Sequence, residues 1–301
     1  MKKSNTAFLT TVFPKSEQYL DEFFKSLVNQ TDLDYDLIVV NDSFKEFNIY
    51  KNKYKNLNII ELKSQDSHIQ NRINGINYVL ENNYLYLIFG DSDDYFSNDR
   101  VAILKKILFN YDIAVNDLVL FDDSNRIENI FKDIKFIKKD LINKNIFGLS
   151  NTALRTNIFK KIKINSDNSI IAFDWYLFSI FIFNDYSFKF TSKTQTFYRQ
   201  HDSNTLGLNF KIDDKYLNKL IDIKMKHLFA LNKYFSLDNN KKLYKIFRNE
   251  LDLLKKLEVS LLSNKFRVNY LSVVNNNIEK IFSGWFSQII SIEKYKLLYE
   301  N

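Results

Sequence analysis

Three carboxylates, Asp91, Asp93 and Asp94, close an apolar run in the stretch YLYLIFGDSDD that begins at Tyr84. Like charges this close repel, and one of them is driven to hold a proton unless a cation intervenes. Hard divalent ions such as Mg²⁺ and Mn²⁺ take oxygen ligands and bridge carboxylates to substrate phosphates. The cluster therefore reads as the metal and phosphate end of a nucleotide site. The plainer reading is an acidic turn in which Asp94 or Asp99 caps a helix starting near Arg100. Three other positions invite chemistry. Asp42 ends an apolar run, DLIVVND, where a turn or helix-cap role is the default. Asp174 lies among Ile, Ala, Phe and Trp, so its carboxylate must be hydrogen-bonded, paired or protonated. A raised pKa there would suit a general base, and capping of the helix to Phe183 is the alternative. His201 is one of only 3 histidines, open to reading as a metal ligand, a phosphate donor or a surface residue.

Tyr84 to Phe89 has the unbroken apolar character of a strand buried on both faces of a parallel sheet. The carboxyl end of such a strand opens on the crevice where α/β proteins place ligands. Strands are expected at Ala7–Phe13, Asp36–Val40 and Leu57–Leu62, with helices from Ser16 to Asn29 and Ser67 to Leu80 between them. This alternation predicts a parallel sheet with right-handed crossovers. Further on, Arg100–Phe109 reads as a helix and Asp117–Phe121 as a strand. Ile127–Ile137 reads as an edge or mixed strand, and Asn157–Lys161 as a short helix. Phe173–Phe183 reads as an apolar helix, with short strands at Phe188–Phe190 and Thr196–Tyr198. From about Phe210 the pattern is helical, with two to four helices. No G-x-G-x-x-G follows the first strand and no G-x-x-x-x-G-K-[ST] occurs, so a dinucleotide fold and a P-loop are poor fits.

The 301 residues allow one large domain with an appendage, and 45% hydrophobic content with 28 Phe and 18 Tyr supplies ample core. With no cysteine there is no disulfide framework, thiolate zinc site or cysteine nucleophile. This suits a reducing compartment, and with no signal-peptide pattern it gives a cytoplasmic expectation. No run of about 18 apolar residues is present, so no span is expected. The net charge of +7 suits an anionic membrane surface, phosphorylated substrates or a generically basic surface. No nucleic-acid-binding signature accompanies it.

In order and spacing these stretches resemble the family-two glycosyltransferases, over roughly Asn5 to Leu206. The opening strand, Pro14 and the helix closing in Ser26, Leu27, Gln30 and Thr31 are similar to that family's start. DLIVVNDS resembles its second strand with the nucleotide-binding Asp at Asp42, and NRINGI its Arg-Asn-x-Gly stretch at Arg72 and Gly75. LIFGDSDD resembles its Asp-x-Asp motif at Asp91 and Asp93. NTALRTNIFKKI resembles the segment before its acceptor site. FDWYL resembles the element carrying its catalytic base, at Asp174, and YRQHDSNT the element with His201 and Asn204.

The resemblance implies the GT-A fold: an α/β, Rossmann-type mixed sheet flanked by helices, with a C-terminal helical appendage. It implies a nucleotide-sugar-binding catalytic domain over 1–208 and a helical region over 209–301 with an acceptor, oligomer or membrane-surface role. Asp93 and His201 would hold Mn²⁺ or Mg²⁺ against the donor's diphosphate. Pro14, Asp42, Arg72, Asp91 and Ser92 would contact the donor, with UDP-sugars first among the candidates. Asp174 would take the proton from an acceptor hydroxyl, in a single displacement with inversion. The acceptor would be a glycan or lipid-linked precursor of a bacterial surface polysaccharide or lipooligosaccharide. Phe173 stands where the family often has Glu, Asn41 replaces a frequent Asp, and Gly90 a common Leu. A nucleotidyltransferase and a non-catalytic scaffold on the same fold are the rivals. Trp285, Phe286, Ile289 and Ile290, flanked by Lys294 and Lys296, suit a membrane-surface helix or one packed on the catalytic domain or a second subunit.

Overall fold

The computed structural model describes residues 2–65, 67–121, 126–131, 135–162, 164, 169–201, 210–238 and 240–300, with the side chains of 126–129 excepted. The described chain forms two compact units, one from 1–132, 147–168 and 185–203, the other from 133–146, 169–184 and 204–301.

The first unit is built on a nine-stranded sheet. Strands β1 (Thr6–Val12), β2 (Asp36–Asn41), β3 (Asn58–Lys63) and β4 (Tyr86–Phe89) are mutually parallel in the order β3-β2-β1-β4. Helices α1 (Glu17–Val28), α2 (Phe47–Lys53) and α3 (His68–Glu81) connect them. Central β1 and β2 are buried along nearly their whole length, whereas the edge strand β3 is half exposed. That is why β2 reads as an unbroken apolar run, Leu37–Val40, while β1 keeps Thr10 and Thr11 within its length.

Beyond β4 the direction of pairing changes. The two-residue β5 (Tyr95–Phe96) and α4 (Arg100–Leu108) lead into β6 (Ile113–Phe121), which carries β7 (Arg126–Asn129) antiparallel on one side. β8 (Thr152–Arg155) lies antiparallel between β4 and β6. After α5 (Phe173–Phe183) of the second unit, the chain returns to the sheet as β9 (Phe188–Arg199), parallel to β6 and antiparallel to β5. The two short strands expected here are one. Its register jumps so that Asn116 pairs Thr191 and Asp117 pairs Gln195, and that slip lets Ser192–Thr194 interrupt the apolar pattern. One face is filled by an aromatic cluster in which Phe8 packs on Phe23, Tyr35 and Phe96.

Ser16 sits at the N-cap of α1, but its hydroxyl donates to Phe13 O (2.7 Å) and receives from Phe13 N (3.2 Å), closing the turn Pro14–Ser16. Ser67 does cap α3, accepting from Gln70 N at 3.3 Å.

In the second unit every residue of α5 except Asp174 is buried, as an all-round apolar helix requires. It is joined by α6 (Asp214–Leu237), α7 (Lys241–Ser260), α8 (Asn264–Asn276), the single turn α9 (Ile278–Ile281) and α10 (Ile292–Tyr299). Phe183, Phe235 and Phe247 pack edge-on and stacked between α5, α6 and α7. Trp285, Phe286, Ile289 and Ile290 lie in irregular chain and are buried. Their apolar surface is spent on the unit's own core, so they do not form an exposed membrane-facing stripe. Among the described residues no helix is long and apolar enough to cross a membrane.

Candidate active site

The candidate residues of the first unit gather at the carboxyl ends of β1, β2 and β4. Pro14 is exposed and opens the 3₁₀ turn after β1. Asp42 follows β2 and its amide donates to Val12 O at 2.8 Å, tying the two strand ends. Asn41 shapes the turn, accepting from Phe44 N (2.8 Å) and donating to Phe44 O (3.0 Å) and Glu61 Oε1 (2.7 Å). Ser43 takes a φ of 65°. The half-buried Asp42 carboxylate has no hydrogen bond or ion pair among the described residues, so it stands available to a ligand's donors.

The loop after β4 divides its three carboxylates among three partners. Asp91 accepts from Arg72 Nη2 of α3 at 2.5 Å and keeps about a quarter of its side chain exposed. Burial pushes its pKa up, Arg72 opposes this, and the charge of Asp93 adds to the rise. Asp93 Oδ2 lies 2.9 Å from His201 Nε2. The antiparallel pairing of β5 with β9 brings these residues together across the chain. His201 also stacks on Tyr19 of α1, ring centroids 5.4 Å apart. Asp94 is buried, hydrogen-bonded by the Ser150 hydroxyl and, at 2.9 Å, by Arg199 N. Burial raises its pKa well above the carboxylate range, with the charges of Asp93 and Asp91 adding to it. Ser92 Oγ is buried and has no protein partner among the described residues.

Under the loop lies Arg100, fully buried. It donates to Asn116 Oδ1 (2.8 Å), Phe89 O (2.8 Å) and Ser150 O (2.9 Å), and its guanidinium sits 4.5 Å from the Phe96 ring centroid. Burial lowers its pKa, while Asp94 and Asp91 hold it up. Asp99 heads α4 but gives no side-chain cap, because its carboxylate accepts from Thr194 Oγ1 at 2.7 Å. The acidic cluster is thus three separately anchored carboxylates rather than a capping turn.

Among the described residues no three His, Cys, Asp or Glu side chains converge as a protein-only metal cage. The Asp93–His201 pair instead supplies one carboxylate oxygen and one imidazole nitrogen side by side. Mg²⁺ and Mn²⁺ accept such a partial set, filling the remaining positions with water and substrate phosphate oxygens. The residues present therefore fit a divalent ion shared with a phosphorylated ligand.

Asp174 belongs to the second unit. It occupies the first turn of α5, where the helix dipole favours a carboxylate. It accepts from Asn145 Nδ2 at 3.3 Å. Asn145 is itself fixed by reciprocal backbone hydrogen bonds with Trp285, at 3.0 and 2.9 Å. Gly284 comes so near that a Cβ would stand 2.4 Å from Asn145 O, at a φ of +129°. Asn204 lies outside the described residues.

Nothing in the sequence singles out Arg100, at the head of RVAILKKIL, nor Ser150 or Asn145, and Arg199 shows only as a member of YRQHDSNT. Ser150, Asn145 and Arg199 act through contacts 29 to 105 residues away. Gln30 of the opening motif proves to be a clamp, bonding Ser26 O, Ser97 O and Val101 N.

Among known proteins, the dTDP-rhamnosyl transferase RfbG of Shigella flexneri is 26% identical over 215 residues, 66% of this chain and 74% of that one. Among solved structures, S. aureus TarS 1–349 in complex with UDP-GlcNAc superimposes with a TM-score of 0.52 at 14% identity, covering 98% of this chain and 90% of that one. The mannosyltransferase PcManGT from Pyrobaculum calidifontis, in complex with GDP-Man and Mn²⁺, gives 0.55 at 10% identity, with 99% and 86% covered. At these identities the two structures speak for a shared fold. The family model for glycosyl transferase family 2 matches residues 9–187, more than half of the chain. With its mixed sheet and the carboxylates grouped at the strand ends, the chain belongs to the glycosyltransferase family 2 and has the GT-A fold.

Proposed function

We propose that this protein is a metal-dependent, inverting glycosyltransferase that moves a sugar from a nucleotide-diphosphate donor to a hydroxyl of a glycan or lipid-linked acceptor in bacterial surface-polysaccharide synthesis. The observation that carries the proposal is the Asp93–His201 pair, 2.9 Å apart beside the Arg72–Asp91 ion pair. A divalent ion held by Asp93 and His201 would offset the charge that develops on the leaving diphosphate. Arg72, fixed by Asp91, would add a cation near the phosphates or ribose. Asp42 would accept from the base or ribose, with Ser92 Oγ and Pro14 completing the donor contacts.

Asp174, oriented by Asn145, would take the acceptor hydroxyl's proton. The hydroxyl oxygen then forms a bond to the anomeric carbon as the bond to the diphosphate oxygen breaks, so the configuration inverts and the nucleoside diphosphate leaves. The pyrimidine donors come first: TarS was solved with UDP-GlcNAc, and RfbG is named for a dTDP-sugar. The region from 209 onward is assigned an acceptor, oligomer or membrane-surface role.

Calorimetry with UDP-, dTDP-, GDP- and CMP-sugars, first with Mn²⁺ and then with EDTA, tests the donor site. One nucleotide class should bind, and EDTA should abolish that binding. In Asp174→Asn, transfer should fall by about 10²-fold or more while donor affinity stays unchanged. Undiminished turnover in that variant excludes the mechanism, and no donor binding with metal present favours a non-catalytic scaffold.

A further inference from the structure

The second unit encloses a cavity of about 450 Å³, within the size range of small-ligand sites. Its walls come from α6, α7, Asn143–Lys144 and the chain between Ile281 and Lys294. Part of the lining is apolar, with Leu254, Leu257, Ile281 and Ile289. The lining also carries four lysines, Lys144, Lys224, Lys256 and Lys294, against the carboxylates of Glu250 and Glu293. No residue of this lining takes part in the transfer reaction proposed above.

Lys224 is the informative member. Its side chain is 2% exposed, and its ammonium reaches two acceptors, Asn143 Oδ1 at 2.7 Å and Glu250 Oε1 at 3.3 Å. An ammonium has three N–H bonds, so one lacks an acceptor among the described residues. Burial lowers the pKa of Lys224, with Glu250 opposing. On the same lining, Lys294 has no carboxylate within ion-pair distance among the described residues. Lys294 itself is exposed; its partial burial and then the charge of Lys144 push its pKa down. Lys144 reaches Ser283 Oγ at 3.1 Å and, more distantly, Asp140 Oδ2 at 3.6 Å. The first turn of α10 adds the positive end of a helix dipole, with Glu293 in that turn and Ser291 Oγ accepting from Lys294 N at 3.2 Å.

The lysines outnumber the carboxylates here, and one buried donor is unfilled. A multi-oxygen anion carrying close to two charges would satisfy these donors and relieve the repulsion between Lys144 and Lys294, and the apolar lining asks for a hydrocarbon body. We propose that this cavity binds a phosphate or diphosphate ester of an apolar alcohol. The ester oxygens meet Lys224, Lys144 and Lys294, and the hydrocarbon lies against Leu254, Leu257, Ile281 and Ile289.

The test is calorimetry on the full chain in EDTA, which silences metal-dependent diphosphate binding. The probes are geranyl phosphate, geranyl diphosphate, inorganic phosphate, pyrophosphate and geraniol. The esters should bind at least tenfold tighter than the matching inorganic anions and than geraniol. Lys294→Gln should weaken ester binding at least fivefold without a change in Tm. Lys224→Gln paired with Glu250→Gln removes both members of this ion pair together and should abolish binding. Geraniol binding as tightly as the esters would reduce the cavity to an apolar crevice and overturn the proposal. Inorganic anions binding as tightly as the esters would make it a free-anion site, which equally removes the ester. Ester affinity unchanged in Lys294→Gln would place the binding elsewhere, and an absence of binding by every probe ends the idea.

Discussion

Arg100 turns the acidic loop into a defined surface. It holds the carbonyls of Phe89 and Ser150 and the Asn116 amide, while Ser150 in turn holds Asp94. Lysine offers one point charge where the guanidinium spans three acceptors. Arg100→Lys should therefore cost about 3 kcal/mol, the scale for breaking a buried charge network. It should also weaken nucleotide-sugar binding, although Arg100 touches no proposed ligand. Denaturant unfolding checks the first, and a loss under about 1 kcal/mol would show that the network is redundant. A second residue-scale effect concerns His227. It is buried, stacked on Trp175 at 3.8 Å, and neither ring nitrogen has a partner among the described residues. Burial first, and then the charge of Lys224, hold its pKa well below 6.5. The unfolded chain therefore binds a proton below about pH 6.5 that the folded chain refuses, and stability falls as pH falls. This one group should cost about 2 kcal/mol between pH 7 and 5. His227→Phe keeps the stacked ring and should flatten the pH dependence by that amount relative to the parent. Parallel pH–stability curves for the two proteins would refute it.

At the scale of elements, the site depends on how closely β4 approaches its neighbours. A Cβ on Gly90 would stand 2.6 Å from the Phe8 ring and 2.7 Å from that of Phe96. Gly90→Ala should cost about 1–3 kcal/mol through overpacking. It should also weaken donor binding more than a surface Ala substitution of equal Tm does, because Gly90 and Phe96 flank the loop of Asp91 and Asp93. Binding that tracks Tm alone would mean the loop tolerates the shift. Legibility follows from the same packing. β2 and β4 announce themselves because burial on both faces makes them continuous apolar runs, and β1 through its β-branched and aromatic residues. The end of β4 can be read because three carboxylates in four residues have no place inside a core. β9 hides, since its register slip leaves polar residues mid-strand. The pairing of Asp93 with His201 was suggested by motif order, whereas Arg199, Ser150 and Asn145 act over separations that no local period encodes.

At the scale of the whole molecule, the C-terminal helices are not a detachable tail. They form one unit with 133–146 and 169–184, and α5 in that unit is apolar on every side. A chain ending after 203 should therefore expose α5 and bind a hydrophobic dye strongly, and it should aggregate at concentrations where the full chain stays monodisperse. A soluble truncated chain without dye binding would show that α5 finds other cover. Within the unit, the Asn145–Trp285 bridge ties the residue holding Asp174 to a segment near the chain's end. Trp285→Ala should accordingly lower the turnover number more than it raises KM. The reverse split would make Trp285 a residue of acceptor binding.

The interleaving of the second unit also sets an order of events during synthesis. α5 emerges from the ribosome with ten buried side chains to cover, and Phe247, which packs on Phe183, is made roughly 60 residues later. At translation rates on the order of 5–20 residues per second, that leaves an oily helix uncovered for about 3–12 s. Nascent chains halted near residue 230, with α5 outside the ribosome and Phe247 not yet made, should be held by chaperones that recognise hydrophobic segments, and chains released after residue 301 should not. The residues from α6 onward thus cover α5 only after it has been made.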